Sequence, residues 1–66
     1  MNPSNPDYYN KYAIEPLDFI HANNITFIEG NIIKYVCRWR NKNGIEDLEK
    51  ALTYLQYLID KEKQNS

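Results

Sequence analysis

One cysteine and one histidine are all that this chain has of the residues that staple small proteins together. Cys37 alone closes no internal disulfide and His21 alone makes no metal-ligand set, so neither device makes up for small size. Glycine is almost as scarce, with Gly30 and Gly44 the only two. That excludes a glycine-rich phosphate-cradling loop and the G-x-x-x-x-G-K-[ST] pattern in particular. No apolar run approaches membrane-spanning length, so no membrane contact is expected. Met1 to Asn10 is polar and carries Pro3 and Pro6, unlike a signal peptide, and a free thiol fits a reducing cytoplasm. His21 has no Ser or Cys partner in the pattern and reads as a capping or packing residue. Cys37, inside a long helical pattern, reads as a small hydrophobe. No catalytic residue, metal or cofactor is expected from this inventory.

What remains is 66 residues with a net charge of −1. That is one domain, residues 1–66, divided into an arm over 1–13 and a helical core over 14–66. So short a chain buries roughly 60% of its unfolded surface, and a single small core supplies about 3–5 kcal/mol at most. Self-association is the remedy left, and a homo-oligomer is expected. The near-neutral charge gives no pull toward a nucleic-acid polymer. Its distribution is uneven, however. Lys34, Arg38, Arg40 and Lys42 fall within residues 31–43, which hold no acid. A local positive block in a near-neutral chain suits a small anionic ligand, although a solvated helix face would show the same run.

The local signals predict an all-α fold. Pro16 opens a short helix to about Ala22, with Leu17 and Ile20 inward and Asn23-Asn24 ending it. Thr26-x-x-Glu29 reads as a capping box for a second helix running to about Asn41. Gly30 near its start suggests a close approach by a backbone or a ligand. Asn41-Lys42-Asn43-Gly44 is a turn, with Gly44 free to take a positive φ. The third helix, Ile45 to about Lys63, carries a heptad-like stripe of Ile45, Leu48, Leu52, Leu55 and Ile59, widened by Ala51 and Leu58, which reads as its core face. A short turn between the two longer helices predicts an antiparallel hairpin.

Wound at about 100° per residue, the second helix separates Ile28, Ile32, Tyr35, Val36 and Trp39 from a polar line of Asn31, Lys34 and Arg38. Two long cations and an amide beside aromatic rings suit an anion that also carries a flat ring, and a nucleotide is such a ligand. On the third helix Asp47, Lys50, Tyr54, Tyr57 and Lys61 share a face. The bland reading is an Asp47–Lys50 pair with tyrosines covering the core edge; the functional one is that Lys50 and Tyr54 face Lys34 and Arg38 and close a pocket. Ile33 and Cys37 form a further apolar facet of the second helix, in need of the first helix or another subunit. In the arm, Tyr8, Tyr9 and Tyr12 read as packing on the chain's own helices, a strap over a neighbouring subunit, or a lid over a ligand.

The runs Ile14-Glu15-Pro16-Leu17-Asp18-Phe19-Ile20, Gly30-Asn31-Ile32-Ile33-Lys34-Tyr35-Val36-x-Arg38, Lys42-x-Gly44 and Glu46-Asp47-Leu48-x-Lys50-Ala51-x-x-Tyr54-Leu55 occur in this order. In them the chain resembles a small phage-borne domain family described as nucleotide kinase-like, similar to part of an early nucleotide kinase of a T-odd coliphage. The resemblance covers about residues 8–60. It implies a phage origin, hence the cytoplasm of an infected bacterial host, nucleotide-related ligands and a tendency to multimerise. Carried over residue by residue, its polar members are Asn31, Lys34, Tyr35, Arg38, Asp47, Lys50 and Tyr54.

Three functions follow as expectations. The first is a phage protein that binds and sequesters a nucleotide or nucleotide-derived defence signal, linear or cyclic, without chemistry. The second is a nucleoside monophosphate kinase or Mg-dependent nucleotide hydrolase, with Lys34, Arg38 and Lys50 as cations and Asp47 on the metal. The third is a protein-interaction module that inhibits a host protein through exposed tyrosines and Arg40.

Overall fold

The computed structural model describes residues 12–65. They form α1 (Pro16–Ala22), α2 (Phe27–Arg38), a 3₁₀ turn over Trp39–Asn41, and α3 (Ile45–Gln64). Among the described residues there is no strand. Among them no helix is long and apolar enough to cross a membrane.

Each boundary has a local cause. Pro16 sits at the start of α1, where its missing N–H is no loss. Asn23 donates its side-chain amide to the Phe19 carbonyl at 2.9 Å, and Asn24 takes a positive φ of 52°. Asparagine tolerates that left-handed conformation better than most residues, so the helix ends there. The capping box before α2 differs in detail from expectation. Thr26 occupies the cap position, but its hydroxyl donates to the Glu29 carboxylate at 3.0 Å and not to backbone. The regular part of α2 stops at Arg38, three residues short of the expected end. The chain then tightens into the 3₁₀ turn, and the Gly44 N–H reaches back to the Trp39 carbonyl at 2.8 Å. Gly44 has φ 64° and ψ −137°, a combination open only to glycine.

The contacts between α2 and α3 run the length of α2. Its start meets the middle of α3 through an edge-to-face pair of Phe27 and Tyr54, with ring centroids 6.3 Å apart. Its last residue, Arg38, meets the first turn of α3 at Asp47. Helix α1 lies against the other side of α2 at Gly30, where an added Cβ would stand 3.0 Å from Cγ2 of Ile20. The close approach signalled by Gly30 is therefore that of an α1 side chain. Ile33 and Cys37 are half-buried on the same facet. The Tyr12 hydroxyl donates to the Cys37 carbonyl, so Tyr12 packs on its own chain. Tyr8 and Tyr9 lie outside the described residues.

The core face of α3 is only partly the expected one: Ala51 is buried and Leu48 and Leu58 are half-buried. Ile45 and Leu52 are 64% and 62% exposed, and Leu55 and Ile59 are also in solvent. What α3 turns inward is the neighbouring arc of Asp47, Ala51, Tyr54 and Leu58, with Asp47 and Ala51 fully buried. The apolar residues of α3 span so wide an arc that one helix cannot cover them all. The arc that carries the partner for Arg38 wins, because leaving that ion pair unmade would strand a charge.

Gly44→Ala is expected to destabilise the chain by about 1–3 kcal/mol, the cost of forcing a side chain into that backbone region. Nothing lies within 4 Å of an added Cβ, so the loss would be conformational and not a clash. Urea unfolding followed by circular dichroism measures it; unchanged stability would contradict the turn geometry.

Candidate ligand-binding site

Tyr35, halfway along α2, is the centre of the only cluster that brings the sequence-predicted residues together among the described residues. The Lys34 ammonium lies 4.8 Å from its ring centroid, the Arg38 guanidinium carbon 4.8 Å, and the Lys50 ammonium, arriving from α3, 5.6 Å. The ring of Tyr54 stacks beside it, 6.0 Å between centroids and 15° between planes. Phe27 closes on Tyr54 from its edge. Cations within about 6 Å of an aromatic face are held by the ring quadrupole. The rings thus gather the positive charges of two helices in one place without neutralising them.

Beneath this cluster the charge is balanced once. Asp47 is completely buried and its carboxylate accepts four hydrogen bonds. Two come from Arg38, Nε at 3.2 Å and Nη2 at 3.4 Å, and two from Asn43, its backbone N–H at 3.3 Å and its side-chain amide at 3.2 Å. As the third residue of α3 it also lies at the positive end of the helix dipole. Burial pushes the carboxyl upward, and the hydrogen bonds of Arg38 and Asn43 overcome it, holding Asp47 below the usual carboxylate range. The expected Asp47–Lys50 pairing is replaced by Asp47–Arg38, and Lys50 leans on Tyr35 instead. Asp47 works as an internal anchor: with its oxygens taken by the chain's own donors, it is not presented to solvent where a ligand or metal would meet it. Among the described residues no group of three or more His, Cys, Asp or Glu side chains converges as metal ligands do.

Among the described residues, three cations meet at the Tyr35 ring and one carboxylate, Asp47, lies beneath them. Among the described residues, Lys34 and Lys50 have the Tyr35 ring as their contact and no carboxylate partner. Arg38 keeps its cation over the ring while its Nε and Nη2 serve Asp47, so it positions the site more than it offers a free fork. Asn31 stands one turn before Lys34 and opens onto a neighbouring groove of about 170 Å³ between α1 and α2. Leu17, Ile20, Ile25 and Phe27 form its apolar walls, with Asn31 and Lys34 at its polar edge. Sequence reasoning named Asn31 and Lys34 but neither Phe27 nor Ile25. The signal available was Phe27 directly after the Thr26 cap, at the first position of α2. Cys37 has its thiol pushed up by burial, against a smaller opposing pull from Tyr12, which leaves it an unreactive side chain.

The chain belongs to the DUF3310 family, described as proteins of unknown function, whose pattern matches residues 4–56. That span includes Asn31, Lys34, Tyr35, Arg38, Asp47, Lys50 and Tyr54. No curated protein and no solved structure is matched.

Because the Asp47 carboxyl is held low in the folded chain, its contribution to stability is full above the unfolded value near pH 4 and is lost as pH falls through the lower folded value. Asp47→Asn is therefore expected to be less stable than the parent at pH 7. The gap between the two should start to narrow as the pH drops below about 4 and close only beneath the lower folded value, where both side chains are neutral. Thermal melts over a pH series decide it. A gap constant with pH would show that the carboxylate charge is not what Arg38 holds.

Proposed function

We propose that this chain binds a nucleotide or nucleotide-derived anion at the Tyr35 cluster and holds it without chemistry. The observation that carries the reading is the convergence of Lys34, Arg38 and Lys50 on one tyrosine ring, stacked against a second, with the Asp47 carboxylate that pairs with Arg38 buried beneath them. Lys34 and Lys50, from different helices, bracket a place for a phosphate. Tyr35 and Tyr54 offer ring surface, and base–aromatic stacking is typically worth about 1–3 kcal/mol. Asn31 stands where it can hydrogen-bond a base or ribose edge beside the apolar groove.

The resemblance to phage-borne nucleotide kinase-like domains supports the ligand class. It also supports a setting in an infected bacterial cell, where capturing a linear or cyclic nucleotide signal would blunt a host defence. Sequestration is favoured over turnover by the state of Asp47. The one acid of the cluster is fully committed to Arg38 and Asn43, so a kinase or hydrolase would need its metal ligand from elsewhere.

Titration calorimetry with ATP and with 3′,5′-cyclic AMP tests this. Lys34→Ala and Lys50→Ala should each weaken binding by about tenfold, as expected for losing roughly 1.4 kcal/mol from one charge-assisted contact. Arg40→Ala should leave it unchanged, because Arg40 stacks on Trp39 away from the cluster. Nucleotide recovered after incubation with Mg²⁺ should be intact, and converted product would favour the enzyme reading. Equal affinities for all three variants would overturn the site.

A further inference from the structure

The face of α3 left in solvent has a regular spacing. Ile45, Leu48, Leu52, Leu55 and Ile59 recur at intervals of three and four, the heptad pattern by which helices pack as knobs into holes. Ile45, Leu52, Leu55 and Ile59 are 64%, 62%, 42% and 40% exposed, and Leu48 is half-buried at the edge of this face. With the Tyr35 side of α2 and the Asp47–Tyr54 side of α3 in contact, helical geometry brings Ile32 and Val36 of α2 out beside this stripe. Val36 is 47% exposed and Ile32 half-buried. The same geometry puts Lys34 and Lys50 on the opposite side of the helix pair, so this apolar face and the candidate ligand site do not overlap.

We infer that a second copy of this chain covers this face, as an antiparallel two-fold dimer that makes a four-helix bundle. Three features point to a second copy in that orientation. First, a two-fold axis crossing α3 between Thr53 and Tyr54 sets Leu52 opposite Leu55 of the second copy, and Leu48 opposite Ile59, giving four consecutive apolar layers. Second, Tyr35 stacks on Tyr54 and Arg38 pairs with Asp47 in the folded chain, and the two contacts together set the middle of the α3 stripe level with Lys34. The same axis therefore crosses α2 near Lys34, and Ile32 falls opposite Val36 of the second copy. Third, it brings Glu29, on the rim of α2, to the level of Arg40 of the second copy. That charge match occurs twice by symmetry. A parallel arrangement would set Glu29 against Glu29 and Arg40 against Arg40. From Ile45 to Ile59 the stripe is about 21 Å long and the pair of helices roughly 20 Å wide. Such a face is at the small end of the ~800 Å² per partner of a stable interface.

This places self-association on a different surface from the one the sequence suggests. The Ile33–Cys37 facet is approached from within the chain by α1 and Tyr12. The α3 stripe has no such cover among the described residues.

Sedimentation equilibrium of the full chain tests the proposal with two kinds of variant. The parent is expected to sediment as a dimer. Leu52→Lys is expected to sediment as a monomer with its helical circular dichroism retained, because Leu52 is mostly exposed within one chain. Glu29→Arg and Arg40→Glu should each shift the equilibrium toward monomer, and the two together should restore the dimer. This second arm needs no core substitution and reads out even if Leu52→Lys unfolds. A monomeric parent, a trimer or larger closed assembly, an unchanged mass for Leu52→Lys, or failure of the double charge exchange to restore association would each overturn it.

Discussion

The fold turns on a single buried ion pair. Asp47 is the only charged side chain fully buried among the described residues, and it is satisfied by one cation and one amide residue. Arg38 reaches it from the end of α2 and Asn43 from the turn, so three segments are tied at one carboxylate. Removing a partner from such a pair typically costs about 3–5 kcal/mol, which is as much as a core this small can supply. Apolar burial does not take its place. Ala51 is the one buried residue of the hydrophobic class among those described, and Pro16 at the start of α1 is buried too.

That anchor has a consequence for the site. Holding Arg38 against Asp47 fixes the register of α2 on α3, and the register sets Tyr35 beside Tyr54 and brings Lys50 within reach of the Tyr35 ring. Arg38 also lies over that ring, so a single side chain links the buried carboxylate to the surface cluster. The rings do not cancel the charge they attract. The result is that, among the described residues, three cations of a near-neutral chain are concentrated at one ring. The same register leaves the heptad stripe of α3 facing solvent, on the other side of the helix pair.

Local chemistry made much of this legible from residues alone. Pro16, Thr26 and the Asn43-Gly44 turn marked the helix starts, and Asn23-Asn24 marked the end of α1, because each depends on the backbone preferences of one or two residues. The gathering of Lys34, Tyr35, Arg38, Lys50 and Tyr54 was legible too, since helical spacing put them on facing sides. The choice of core face on α3 was not. Ala51 and Leu58 belong to both candidate arcs, and periodicity does not say which neighbouring arc turns inward when apolar residues cover so much of the helix. A buried aspartate runs against the usual ranking of residues by burial. Its partner, nine residues away across the turn, is visible only once the helices are set side by side. For the same reason Asn43 read as a turn residue and not as a donor to Asp47, and spacing left the cover of the α2 facet at Ile33 and Cys37 open between the first helix and another subunit.

The most direct test is to watch the cluster itself. In nuclear magnetic resonance spectra of isotope-labelled chain titrated with ATP, the account predicts saturable shifts of the Lys34 and Lys50 side-chain and Tyr35 and Tyr54 ring signals. Ile45, Leu52 and Ile59 on the α3 stripe should stay unmoved. Shifts confined to Arg40, Lys42 and Lys63, or no saturable shift at the tyrosines, would contradict it.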